Sequence, residues 1–97
     1  MVIKALDHVR QCYTWEDGKI IASLIRDGFA RDRKVVLSFS GVNDVPSSFV
    51  NAAFVSLLND YSFDFIKENL SVIDSTRQIN GMIVRRLTFE ATKAAAA

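Results

Sequence analysis

Residues 35–39, Val35-Val36-Leu37-Ser38-Phe39, constrain the fold more than any other stretch of the chain. They favour a strand, show little polar alternation, and are bounded by Arg33-Lys34 before and Ser40-Gly41 after. A strand of this kind reads as central and covered on both faces, as in a parallel sheet. A covered strand needs helices to cover it, and the flanking sequence supplies them. From Lys19 to Ala30, the residues Ile20, Ile21, Leu24, Ile25 and Phe29 recur at helical spacing, with Lys19, Arg26 and Asp27 off that stripe. From Ser48 to about Asn59 runs the most apolar segment, Phe49 to Leu58, with Asn51, Ser56 and Asn59 as its polar marks. A helix apolar on nearly all sides is either buried or offers a strip to a partner.

The remaining segments are shorter. Met1 to Leu6 reads as a first strand, and His8 to Trp15 is compatible with a second edge strand. Glu16, Asp17 and Gly18 punctuate before the first helix. Tyr61 to Asn69 reads as a connector with a turn of helix at Asp64 to Glu68, and Leu70 to Ile73 as another strand. A last helix, about Thr76 to Ala91, carries the stripe Ile79, Met82, Ile83 and Leu87. Gly81 inside it costs about 1 kcal/mol against Ala, which points to close packing or a weak spot. The alternation predicts an α/β sandwich with a mixed sheet of about four strands and three main helices. With 97 residues the chain holds one core, assigned to residues 1–93. Ala94 to Ala97 is read as a disordered tail or a helix end.

Composition removes several classes of function. Hydrophobic residues make up 49% and the formal net charge is +1, so neither global disorder nor polyanion binding is indicated. The basic clusters Arg26, Arg31, Arg33, Lys34 and Arg77, Arg85, Arg86, Lys93 are interleaved with acids, which argues against nucleic acid. One cysteine, Cys12, allows no internal disulfide, and no apolar run is long enough for a signal sequence or a membrane span. The expectation is a cytoplasmic protein without a membrane segment. Gly18-Lys19 lacks the rest of a P-loop, and His8 with Cys12 makes no metal site. Asp60, Asp64 and Glu68 read as a solvated acidic face. No catalytic residue, metal or cofactor is expected.

The loop Ser40 to Ser48 draws more attention. It follows the C-terminal end of the central strand, where ligands collect in open α/β sheets, and leads into a helix. Pro46 keeps Val45 extended, so the helix starts no earlier. Ser47 and Ser48 each suit the helix cap, worth about 1 kcal/mol. Either could instead accept a phosphoryl group.

The run Val35 to Val42, followed by Val45-Pro46-Ser47-Ser48-Phe49-Val50-Asn51, resembles the STAS-like domain family of unknown function, small bacterial and phage domains. The stretch Phe63 to Ile73 and the helix Ile79 to Leu87 are similar too, so the resemblance covers about Gly18 to Glu90. It implies a small two-layer STAS-like sandwich and a regulatory module without its own chemistry. In the broader STAS fold a serine in this loop is phosphorylated by a partner kinase, and Ser47 matches that serine. Pro46 stands where the family-wide aspartate would be, Phe49 where a glycine is common, and Ser38 where the strand usually carries an acid. The expected function is docking of a partner protein through residues 43–54, with Asn43, Asp44, Ser47, Ser48 and Asn51 as candidate contact or phospho-acceptor residues. An inhibitor of a host system encoded by a phage or mobile element is one form of this, and a weak homodimer is compatible with it. The alternative is a sensor of a small ligand or nucleotide that uses the same loop.

Overall fold

The computed structural model describes residues 1–96. Its order is β1 (Val2–Lys4), α1 (Trp15–Ala30), β2 (Val35–Ser38), α2 (Ser47–Ala53), α3 (Phe63–Asn69), β3 (Leu70–Ile73) and α4 (Arg77–Ala96). Short 3-10 segments follow β1 at Ala5–Asp7 and α2 at Val55–Asn59. The three strands pair in the order β1-β2-β3, all parallel.

That order decides how the sheet is covered. Parallel crossovers share one hand, so two successive steps in the same direction put both connections on one face. The register places Ile3, Leu37 and Val72 in one row, with Val35 beside Leu70, facing the helices. Ile3, Leu37 and Val35 are buried there. The other face carries Val2, Val36 and Ser71 in one row and Lys4, Ser38 and Ile73 in the next. Val2 is 71% and Ile73 43% exposed. β2 is therefore central, as its composition indicates, but covered on one face only. The apolar run reflects its position between two strands and over the core, with Val36 sheltered by its neighbours.

Among the described residues the sheet has three strands rather than about four, and all are parallel rather than mixed. Residues 8–15 form no strand. The chain turns at the buried Ala5, whose carbonyl accepts the amides of His8 at 3.0 Å and Val9 at 3.1 Å. The amides of Tyr13 and Thr14 are then taken by the Asp17 carboxylate, at 3.3 and 3.0 Å, so they serve a helix start instead of a ladder. The Asp17 amide returns to Thr14 Oγ1 at 3.1 Å, completing a capping box.

Among the described residues four α-helices stand where three main ones are expected. α3 is a full element rather than a turn, because Ser62 Oγ accepts the Phe65 amide at 3.1 Å and fixes its start. The Phe65 ring stacks on Tyr61 at 5.0 Å, and both pack edge-on against Phe29. The apolar segment 48–59 is not one helix. α2 ends at Ala53, and the change of pitch at Phe54 carries Leu57 after it into the core.

α1 begins earlier than its apolar stripe suggests, and Gly18 lies inside it. α1 and α2 pack closely, and a Cβ at Gly18 would stand 2.5 Å from the Phe49 carbonyl oxygen and 2.7 Å from Ala52 Cβ. Ile21, Ile25 and Phe29 point inward, whereas Ile20 is half-exposed. α1 ends in a Schellman turn: Arg33 N–H reaches Gly28 O and Asp32 N–H reaches Phe29 O, both at 3.0 Å, with Asp32 at φ 57°. The core gathers Phe39, Phe49 and Phe54 with Leu37 and Leu57, closed by Ile79, Ile83 and Leu87 of α4. Among the described residues no helix is long and apolar enough to cross a membrane.

Candidate functional site

The loop between β2 and α2 starts with a tight turn. The Val42 amide bonds to the Phe39 carbonyl at 2.9 Å, and Gly41 takes φ 85° at the turn's third position, a conformation that glycine adopts without strain. Val45 is buried and anchors the middle of the loop. From there the loop is held by α4, more than thirty residues away in sequence. Gln78 Oε1 accepts the Val45 amide at 3.0 Å, and Gln78 Nε2 donates to the Val45 carbonyl at 2.9 Å. Thr76 Oγ1 donates to the Asn43 carbonyl at 3.0 Å and accepts the Ile79 amide at 3.2 Å, so one hydroxyl fixes the loop and caps α4.

The five candidate residues divide. Asn43, Asp44, Ser47 and Ser48 are exposed along the loop and the first turn of α2. Neither serine caps the helix. Pro46 occupies the cap position, makes no side-chain cap bond, and leaves Ser47 and Ser48 inside the first turn. Ser48 Oγ instead reaches the Tyr13 carbonyl at 3.4 Å. Pro46 sets the extended backbone that a cap needs (φ −82°, ψ 166°) but has no oxygen to offer the amides. Asn51 is half-buried and turned to α4, where its Oδ1 accepts Arg86 Nε at 3.0 Å. Arg86 also bonds Glu90 at 3.0 Å.

The apolar part of the segment is not available to a partner. Phe49, Val50, Ala52, Ala53 and Phe54 are all buried, so the surface that residues 43–54 present shrinks to the loop and the first turn of α2. Gln78 and Thr76, which shape that surface, carried no signal in the sequence beyond their place at the start of a helix.

Beside the loop lies a cleft of about 210 Å3, lined by Leu6, Arg10, Cys12, Tyr13, Val42 and Asn43 among others. Burial, helped by the negative charge of Asp17, raises the Cys12 thiol from 9.0 to about 11. It stays protonated at neutral pH and is no nucleophile there. His8 is exposed while Cys12 is buried, and His8 does not line the cleft that Cys12 lines. At the end of β2, Ser38 Oγ donates to Asp74 Oδ2 at 2.7 Å and accepts the Ser40 amide at 3.2 Å. This ties the ends of β2 and β3 together. Among the described residues the strands follow the order β1-β2-β3 without a reversal. Several cations are matched within the fold: Arg26 with Asp60 at 3.1 Å, Arg31 with Asp27 at 3.3 Å, and Arg86 with Glu90. No group of three or more metal-ligating side chains occurs among the described residues.

A family model described as a STAS-like domain of unknown function (DUF4325) matches residues 17–80, well over half of the chain. The matched span runs from the start of α1 to the first turn of α4, and so contains β2, β3 and the whole loop. No curated protein and no solved structure matches the chain.

Proposed function

We propose that this chain, which belongs to the STAS-like domain family of unknown function, is a non-catalytic module that docks a partner protein through residues 41–48 and the first turn of α2. The observation that supports this reading best is the way the loop is held. Gln78 grips both backbone groups of Val45 and Thr76 grips Asn43. The exposed side chains of Asn43, Asp44 and Ser47 make no hydrogen bond among the described residues. A loop fixed through its backbone, with polar side chains left for contact, binds with little loss of ordering entropy. A phosphoryl group on Ser47 would add about −1.5 to −2 charges beside Asp44 and turn away an acidic partner.

A small-ligand sensor is the second reading, favoured by the cleft that adjoins the loop. Its volume of about 210 Å3 falls below the ~300–1,000 Å3 of most ligand sites. The docking reading is therefore preferred, and a thermal-shift screen with nucleotides tests the other.

A photo-crosslinking amino acid placed at Asp44, and separately at Asn59 as a distant exposed control, tests the docking surface in cells. One discrete adduct from position 44 and none from position 59 is expected, weakened when Ser47 is also changed to Asp. Adducts of equal yield from both positions, or none from position 44, would remove the loop as the docking site.

A further inference from the structure

α4 buries one side against α2 and the 3-10 turn that follows it, through Ile79, Ile83 and Leu87. At helical spacing the opposite side carries Arg77, Gly81, Val84, Arg85, Thr88 and Thr92. Val84, and Phe89 at the border of this face, leave more than half of their surface in water. The ion pairs of the fold use Arg26, Arg31 and Arg86, and among the described residues no carboxylate lies within ion-pair distance of Arg77 or Arg85. Glu90, the one acid in α4, is half-buried on the other side and takes Arg86 at 3.0 Å. Asp74, just before the helix, accepts Ser38 Oγ at 2.7 Å. The outer face therefore carries two cations and no acid. Gly81 lies midway between the arginines, four residues from each. A Cβ there would meet only the Arg85 guanidinium, at 3.7 Å. Packing within the fold does not call for this glycine, which costs a helix interior about 1 kcal/mol against alanine. It leaves a notch between arginines whose backbones stand about 12 Å apart along the axis.

We propose that this face takes an acidic helix of a partner protein, with an apolar side chain in the notch at Gly81 and a carboxylate against each arginine. A helix running alongside α4 repeats its spacing, so acids about two turns apart, with Leu or Met midway, meet all three features. The missing side chain at Gly81 lets the two helices come close there. The Arg85 guanidinium, which lies over the notch in the single chain, swings out on its flexible stem, and its planar fork suits a carboxylate. Val84 adds apolar contact beside the notch. Other occupants fit less well. A second copy of α4 paired about a two-fold axis at Gly81 sets arginine against arginine in either orientation. Nucleic acid calls for more cations than these two, and a membrane surface for a broader apolar face. The contacts are exposed, so charge sets orientation and specificity more than affinity. Most of the face lies beyond residues 17–80, which the family model matches. None of residues 41–48 belongs to it, and it stands independently of the docking reading.

The test is selection against the whole chain from a yeast-displayed library of alanine-based helical peptides, with Glu, Lys, Leu and Ser varied on one face. The selected peptides are expected to carry Glu about seven or eight residues apart around a Leu. Arg85→Glu should weaken them at least about tenfold, because like charge then faces like charge. The double change Arg77→Glu with Arg85→Glu should move the selection to Lys in place of Glu. Gly81→Leu should weaken the same peptides by filling the notch, at a melting temperature no lower than that of the starting protein, because leucine favours the helix and the position is open. Lys34→Glu, a charge reversal at an exposed residue before β2, should leave their binding unchanged. Selection without a bias to Glu, peptides that Arg85→Glu does not weaken, or an equal loss from Lys34→Glu would overturn the proposal. So would tighter binding of the chain to single-stranded DNA or to anionic vesicles, lost in Arg85→Glu, which would give the face to a different class of partner.

Discussion

The seam between α1 and α2 and the outer side of α4 use the same residue types to opposite ends. A Cβ at Gly18 would stand 2.5 Å from the Phe49 carbonyl, whereas one at Gly81 would meet only the Arg85 guanidinium, at 3.7 Å. Phe54, at the end of the seam, is fully buried, while Phe89 on α4 is 57% exposed under the guanidinium of Arg86. Neither contrast is written in the residue itself. It comes from the crossovers that stack α1 and α2 over β2 and leave the far side of α4 in water.

The phenylalanine pair gives the largest test of that contrast. Phe54→Ala should destabilise the protein by about 3–5 kcal/mol, the usual range for emptying a buried aromatic site. Phe89→Ala should stay within about 0.5 kcal/mol, as surface changes do. Chemical denaturation of both variants measures the difference. Similar losses at both positions would mean that α4 is covered in solution, or that the seam relaxes around the cavity.

Local signals made part of this legible in the sequence. The stripe Ile21, Ile25, Phe29 and the stripe Ile79, Ile83, Leu87 mark the buried sides of α1 and α4, and β2 and β3 stand where strand formers cluster. The capping box that joins Thr14 to Asp17 was masked in the sequence by the strand preference of Tyr13, Thr14 and Trp15, which it outweighs. Other features were not legible because they depend on partners distant in sequence. The same-direction strand order, which bares Val2 and Ile73, follows from tertiary pairing and not from any period. The apolar run through Phe54 gives no sign of the change in pitch that takes Leu57 inward. At the candidate site, Ser47 and Ser48 look like caps because of their type and place. Pro46 takes the position instead, and the loop owes its shape to Gln78 and Thr76.

The glycines sharpen the comparison at smaller magnitude. Gly18→Ala should lose about 1–3 kcal/mol, because the new methyl meets backbone that cannot step aside. Gly81→Ala should gain up to about 1 kcal/mol, since the position is open and alanine favours the helix. Gly81 is thus a weak spot and not a point of close packing. Thermal melts of the two variants should move in opposite directions. A loss at Gly81 would show that something covers that turn of α4 in solution.

The helix starts differ more finely, in how they respond to acid. α1 adds a carboxylate to its hydroxyl cap, with Asp17 reaching back to the Tyr13 and Thr14 amides, whereas α4 has the Thr76 hydroxyl alone. Burial of Asp17 disfavours its charge, but the bonds from Thr14 and from the Tyr13 amide outweigh that and lower its pKa from 3.8. A carboxyl depressed in the folded state binds its proton less readily there than in the unfolded chain. Its stabilisation is present above pH 4 and is lost as pH falls through the folded value. Asp17→Asn should therefore lower stability by a fraction of the about 1 kcal/mol typical of a cap at neutral pH, and should flatten the acid limb of the stability curve. Thr76→Ala should remove a similar amount at every pH, because a hydroxyl cap does not titrate, and it should also release the Asn43 carbonyl. Equilibrium unfolding of both variants from pH 7 down to pH 2 separates the two. A parallel loss across the range for Asp17→Asn would mean that the carboxylate only shapes the turn and that its charge adds nothing to the start of α1.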